Sequence, residues 1–110
     1  MQKNQVASGD QKELLVLQYL EVFLRRDVSP GDRHLHVRLF LEEHSGAEAR
    51  ALEDVDDDLR RQLPEDASPE DWENGRVEIM AQLIWNAAPW DQRDEWYRMA
   101  KAEEELDGLI

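Results

Sequence analysis

The chain has 110 residues and a formal net charge of −13, with 26 acidic side chains against 13 lysines and arginines and no cysteine. Disulfides, thiolate metal sites and thiol catalysis are therefore excluded. Direct binding to nucleic acid or to an anionic membrane surface is opposed by like charge. The length suits one domain, large enough to bury a core without covalent staples.

In chain order, residues 1–9 are polar and contain Ser8-Gly9, which reads as a flexible N-terminus with no apolar leader behind it. Asp10 with Glu13 three residues on gives a capping-box-like start, and residues 10–110 form a single acidic helical domain in this reading. Leu14 to Leu24 is apolar around most of its circumference, with Gln18, Glu21 and Arg25 as a polar stripe, and is placed at the centre of the fold. It is too short and too interrupted to span a membrane, so a soluble cytoplasmic protein is expected.

Ser29-Pro30-Gly31-Asp32 is the next start signal. Leu35, Val37, Leu39 and Leu41 alternate as in a strand, while Leu35, Leu39 and Phe40 suit a helix face; the start signal favours helix. Gly46 reads as its stop, and Ser45 with Glu48 as a new capping box. Leu52, Val55, Leu59 and Leu63 then mark one outer helix that presents Glu53, Asp54, Asp57 and Asp58 to solvent until Pro64 ends it.

Pro64 to Pro69 is an acidic linker carrying Glu65 and Asp66, and Ser68-Pro69-Glu70-Asp71 starts a further helix. Asn74-Gly75 suggests a break, with the helix effectively beginning at Arg76 and its apolar run, Val77 to Trp85, also central. Ala88-Pro89-Trp90-Asp91 opens the last helix, and Leu106 to Ile110 reads as a frayed or docked tail. The fold expected is all-α, a compact single-domain bundle of four or five helices.

Charge is distributed unevenly. Glu42 to Glu73 holds thirteen carboxylates against Arg50, Arg60 and Arg61, which leaves −10 of the chain's −13 in that stretch. Carboxylates at i and i+4 on a helix lie ~6 Å apart, close to the phosphate spacing of a nucleic-acid strand. Glu53/Asp57 and Asp54/Asp58 would thus form a row of phosphate-like anions, with few bases to compensate them. The function expected is non-enzymatic: an acidic protein-binding module, and an inhibitor that mimics nucleic acid on the basic surface of a nucleic-acid-binding protein. The partner-binding residues expected are Glu53, Asp54, Asp57, Asp58, Glu65, Asp66, Glu70 and Asp71. Trp90 joins them as a candidate interface anchor, against the alternative that it packs in the core or as a helix staple. Small acidic inhibitors of phages and mobile elements, anti-CRISPR proteins among them, work in this way; the chain shares no motif with them, and the parallel is one of type.

The main alternative is a structural or assembly protein that dimerises through Leu14–Leu24, with a solvated acidic face. Two weaker resemblances complete the reading. Asp54-x-Asp56-x-Asp58 with Glu65 resembles the acidic positions of an EF-hand calcium loop, although Leu59 replaces its glycine and Pro64 adjoins the closing Glu. Glu42-Glu43 followed by Glu53 and Asp57 resembles the clustered acids of MazG-like all-α nucleotide pyrophosphohydrolases, without their paired ExxE and ExxD spacings. His34, His36 and His44 are expected to be exposed or near helix caps, and no metal or cofactor is expected.

Overall fold

The computed structural model describes residues 2–26 and 29–109, with side chains for most of those between Gln11 and Leu106. Among the described residues there are six helices and no strand: α1 (Gln2–Arg26), α2 (Pro30–His44), α3 (Gly46–Glu53), α4 (Val55–Gln62), α5 (Pro69–Ala87) and α6 (Trp90–Leu109). The class is as expected, and the count exceeds the expected four or five because one segment is divided.

Three serines set the helix starts. The Ser29 hydroxyl accepts from the Asp32 amide at 3.4 Å, and Ser45 from that of Glu48 at 3.3 Å. Ser68 closes a full capping box: its Oγ accepts from the Asp71 amide at 3.1 Å while the Asp71 carboxylate accepts from the Ser68 amide at 3.2 Å. Each bond satisfies a backbone donor that the helix leaves unpaired at its first turn.

The centre belongs to α5, against which α1, α2, α3 and α4 all pack, while α6 packs along α1. Val77, Met80, Ala81, Leu83, Ile84 and Trp85 are buried, as the apolar run predicts. The first helix is not central in the same sense. It buries Val16, Leu20 and Leu24 at i, i+4, i+8 and leaves Leu14, Val22 and Phe23 about half exposed. An apolar circumference tells how much surface could be buried, but only the number of neighbouring helices decides how much is.

Other boundaries differ from expectation. The α1 backbone is helical from Gln2, so Asp10 lies inside the helix rather than at its cap; Met1 falls outside the described residues. The C-terminal tail is helical to Leu109, and Ile110 falls outside the described residues. Arg33 to Leu41 is helix, but its inward face is Arg33, Val37 and Leu41, with Leu35 and Leu39 turned out.

Asn74-Gly75 does not break α5. A Cβ placed on Gly75 would come within 2.6 Å of Leu59 Cδ2, so the glycine serves close packing of α4 on α5. Conversely, the single helix expected over the 52–63 stripe is divided at Asp54 (φ −95°, ψ 3°), whose amide reaches back to the Ala51 carbonyl at 3.1 Å, a three-residue step. Leu52, Val55 and Leu59 are buried on both sides of this break, so the division redirects the acids and not the apolar stripe.

Candidate functional site: the acidic edge and the exposed tryptophan

The order of charge along α4 has a local cause. Asp56, Asp57 and Asp58 occupy its first turn and Arg60 and Arg61 its last, so acids sit at the positive end of the helix dipole and bases at the negative end. Asp57 accepts from Arg60 at 3.3 Å and Asp58 from Arg61 at 3.5 Å, both exposed i, i+3 pairs.

Bases from outside the stretch add to the three that it contains. Arg38, from α2, bridges Glu42 at 3.1 Å and Glu53 at 2.9 Å, and these two carboxylates, Glu42 above all, raise its pKa further. Arg76, from α5, reaches Asp56 at 2.9 Å and lies 5.7 Å from the Trp72 ring centroid. The expected scarcity of bases is thus corrected: the fold brings arginines from two neighbouring helices onto the edge.

The expected row is also changed. Glu53 closes α3 while Asp57 lies on α4, so the break at Asp54 separates that pair onto two helices. Asp54 and Asp58 keep their helical relation, the Asp58 amide donating to the Asp54 carbonyl at 2.9 Å. Asp71 is engaged in the capping box. Asp54, Glu65, Asp66 and Glu70 are exposed and form no ion pair among the described residues.

Trp90 is 71 % exposed, so the core-packing alternative does not hold for it. Arg93 sits between two indoles, its guanidinium 5.1 Å from the Trp90 centroid and 4.8 Å from that of Trp85, and donates to the carbonyls of Trp85 at 2.9 Å and Asn86 at 3.2 Å. It thereby closes the C-terminal end of α5. The acidic turn lies at the other end of that 19-residue helix, roughly 28 Å away at 1.5 Å per residue. Trp90 and the acids therefore do not form one site.

The calcium resemblance loses its loop: residues 55–62 are helical, and Leu59 is buried against Gly75. Glu42 and Glu53, from the pyrophosphohydrolase resemblance, converge on the Arg38 guanidinium. Among the described residues no group of three His, Asp or Glu side chains is placed to hold a metal ion. His36 and His44 are exposed, and the His44 ring packs on Phe40 at 4.4 Å; His34 is half-buried.

One residue was missed in the sequence. Arg33 is only 3 % exposed, and it donates from Nε to the Leu24 carbonyl at 2.9 Å and from an Nη to Glu73 at 2.6 Å. It ties the C-terminal end of α1 to α5, and its hydrogen bond is the main reason the Glu73 carboxyl lies below the usual 4.5. The signal was its i, i+4, i+8 register with Val37 and Leu41. Arg33 also lines a cleft of about 290 Å³ with His34, Glu53, Asp56 and Arg76, floored by Leu52 and Met80.

The fold and its surface define an all-helical protein with an acidic edge carried by α3, α4 and the turn into α5. Comparison with known protein families, with curated proteins and with solved structures finds no match for the chain. No described helix is long and apolar enough to cross a membrane.

Proposed function

We propose that the protein is a non-enzymatic binding module whose acidic edge engages a basic surface of another protein, one that itself binds nucleic acid, and inhibits it by occupying that surface. The observation that carries this reading is the set of exposed acids without an ion pair among the described residues, Asp54, Glu65, Asp66 and Glu70, beside Asp57 and Asp58. The latter two are held only by exposed short-range contacts, which contribute little and exchange at little cost for a partner's arginine or lysine. A frame of two helices and a proline-bounded turn fixes the acids before binding, which limits the entropy lost on association. Steering by a charge of −13 would make association fast and salt-dependent.

The test is capture from the source cell's lysate at low and high salt, with the wild type and an Asp54/Asp57/Asp58→Asn variant, and identification of the bound proteins. A salt-sensitive nucleic-acid-binding protein lost in the variant supports the reading. A partner retained equally by the variant, or no partner, removes it.

A further inference from the structure

Away from the acidic edge the surface has the opposite character. Two grooves share Tyr19 and Phe23. One, of about 480 Å³, runs between α1 and α6 past Val22, Arg26, Glu103 and Glu104. The other, of about 290 Å³, opens between α1, α2 and α6, with Phe40, Trp96 and Met99 on its walls and Ile84 and Leu20 beneath. Phe23 is 54 % and Met99 46 % exposed, and the Tyr19 hydroxyl reaches the Met99 sulfur at 3.8 Å. Leu39, one helical turn from His36 on the groove wall, and Leu106, one turn from Glu103, extend the apolar surface on either side.

We infer that this face is a two-fold interface and that its occupant is a second copy of the chain. The area is sufficient. Val22, Phe23, Leu39, Met99 and Leu106 are each about half exposed. Large side chains in that state leave on the order of 100 Å² each, so about 500 Å² of apolar surface is available, near the apolar share of the ~800 Å² that each partner of a standard interface buries.

Charge selects a second copy. Most of the excess negative charge, −10 of −13, lies in residues 42–73, and the two flanks together carry the remaining −3. That stretch forms the end of α2, then α3, α4 and the start of α5; α3 packs on α2 and α5, and α4 on α5, whereas α6 packs on α1. Joining two copies through α1 and α6 therefore directs both acidic edges outward, where solvent ions screen them beyond ~10 Å. The groove itself carries both signs, Arg26 opposite Glu103 and Glu104. A two-fold interface requires a self-complementary patch, and a mixed-sign rim around an apolar centre meets that requirement: Arg26 of each copy faces the glutamates of the other.

Sedimentation equilibrium over a concentration series tests this. The mass rises from 12.9 kDa toward twice that value for the wild type. A Phe23→Glu/Met99→Glu variant stays at the monomer mass with its helical circular dichroism retained. Should that variant not fold, charge reversal carries the test: Arg26→Glu weakens the dimer at least tenfold, and adding Glu104→Arg on the same chain recovers it. A constant 12.9 kDa mass overturns the inference, as does a dimer indifferent to both sets of substitutions. A chain that stays monomeric but takes up an apolar dye, lost with Phe23→Glu, assigns the groove to another occupant and also overturns it. The acidic edge is not part of this face, so either result leaves the function proposed above to its own test.

Discussion

Gly75 and Leu59 show how one absent methyl group positions two helices. In an open helix interior, glycine to alanine gains ~1 kcal/mol through backbone entropy. Here the new Cβ would meet Leu59 Cδ2 at 2.6 Å on a buried side chain, so Gly75→Ala is expected to lower stability by about 1–3 kcal/mol, read from the urea midpoint. Combining it with Leu59→Ala should cost less than the two changes summed, because the second removes the clash of the first. Stabilisation by Gly75→Ala alone would refute the close approach. Arg33 acts at the same scale, through pH. The Glu73 carboxyl, held by the Arg33 hydrogen bond, titrates below its ordinary 4.5 in the folded chain. A carboxyl depressed on folding contributes stability above the unfolded value, and that contribution is lost as pH falls through the folded one. Asp94, held down by the Lys12 ammonium at 2.8 Å, acts in the same direction. Glu21 opposes both: burial, then Glu78, raises its pKa, so its ionised form disfavours the fold until protonation relieves it. Urea midpoints should fall as the pH drops below about 4.5, and Glu73→Gln should make that acid limb shallower.

At the scale of the element, the serine caps were legible because a cap is local chemistry: Ser29, Ser45 and Ser68 each bond an amide three residues ahead. Ser68→Ala removes the hydroxyl half of the box, leaving the backbone amide that the Asp71 carboxylate accepts from, and should cost ~1 kcal/mol, seen as a lower urea midpoint with an unchanged slope. Ser45→Ala removes one bond of the same kind and should cost a similar amount. The break at Asp54 was not legible, since Leu52, Val55, Leu59 and Leu63 keep a helical spacing across it and all face inward. Gly75 misled in the other direction: a glycine at a helix break and one at a helix contact look alike until the partner helix is known. The outward turn of Leu35 and Leu39 was hidden for a similar reason, because the sequence shows which residues could be buried, while Arg33 took the inward position through two hydrogen bonds visible only in three dimensions. Of the candidate site, the acids were read from composition, but their arginine partners Arg38 and Arg76 come from helices that only the fold brings near.

Across the whole molecule, self-repulsion should govern behaviour in salt. A chain at −13 has more to gain from screening than it loses from exposed pairs worth at most ~1 kcal/mol each. Raising sodium chloride toward physiological strength and above should therefore raise the melting temperature. A fall would mean that the Arg38 and Arg76 bridges outweigh the repulsion of the edge.

The four tryptophans fall in three regions, Trp85 and Trp90 sharing the one around Arg93. Trp72, beside Arg76, lies next to the acidic turn, Trp96 lines the apolar groove, Trp90 projects at the far end of α5, and Trp85 is buried. Each face thus carries an intrinsic fluorophore, and variants with three indoles replaced by phenylalanine would emit from one region at a time. Engagement of the acidic edge should shift or quench Trp72, self-association should protect Trp96 from acrylamide, and Trp90 should stay accessible in both cases, which makes the chain its own map of where it is touched.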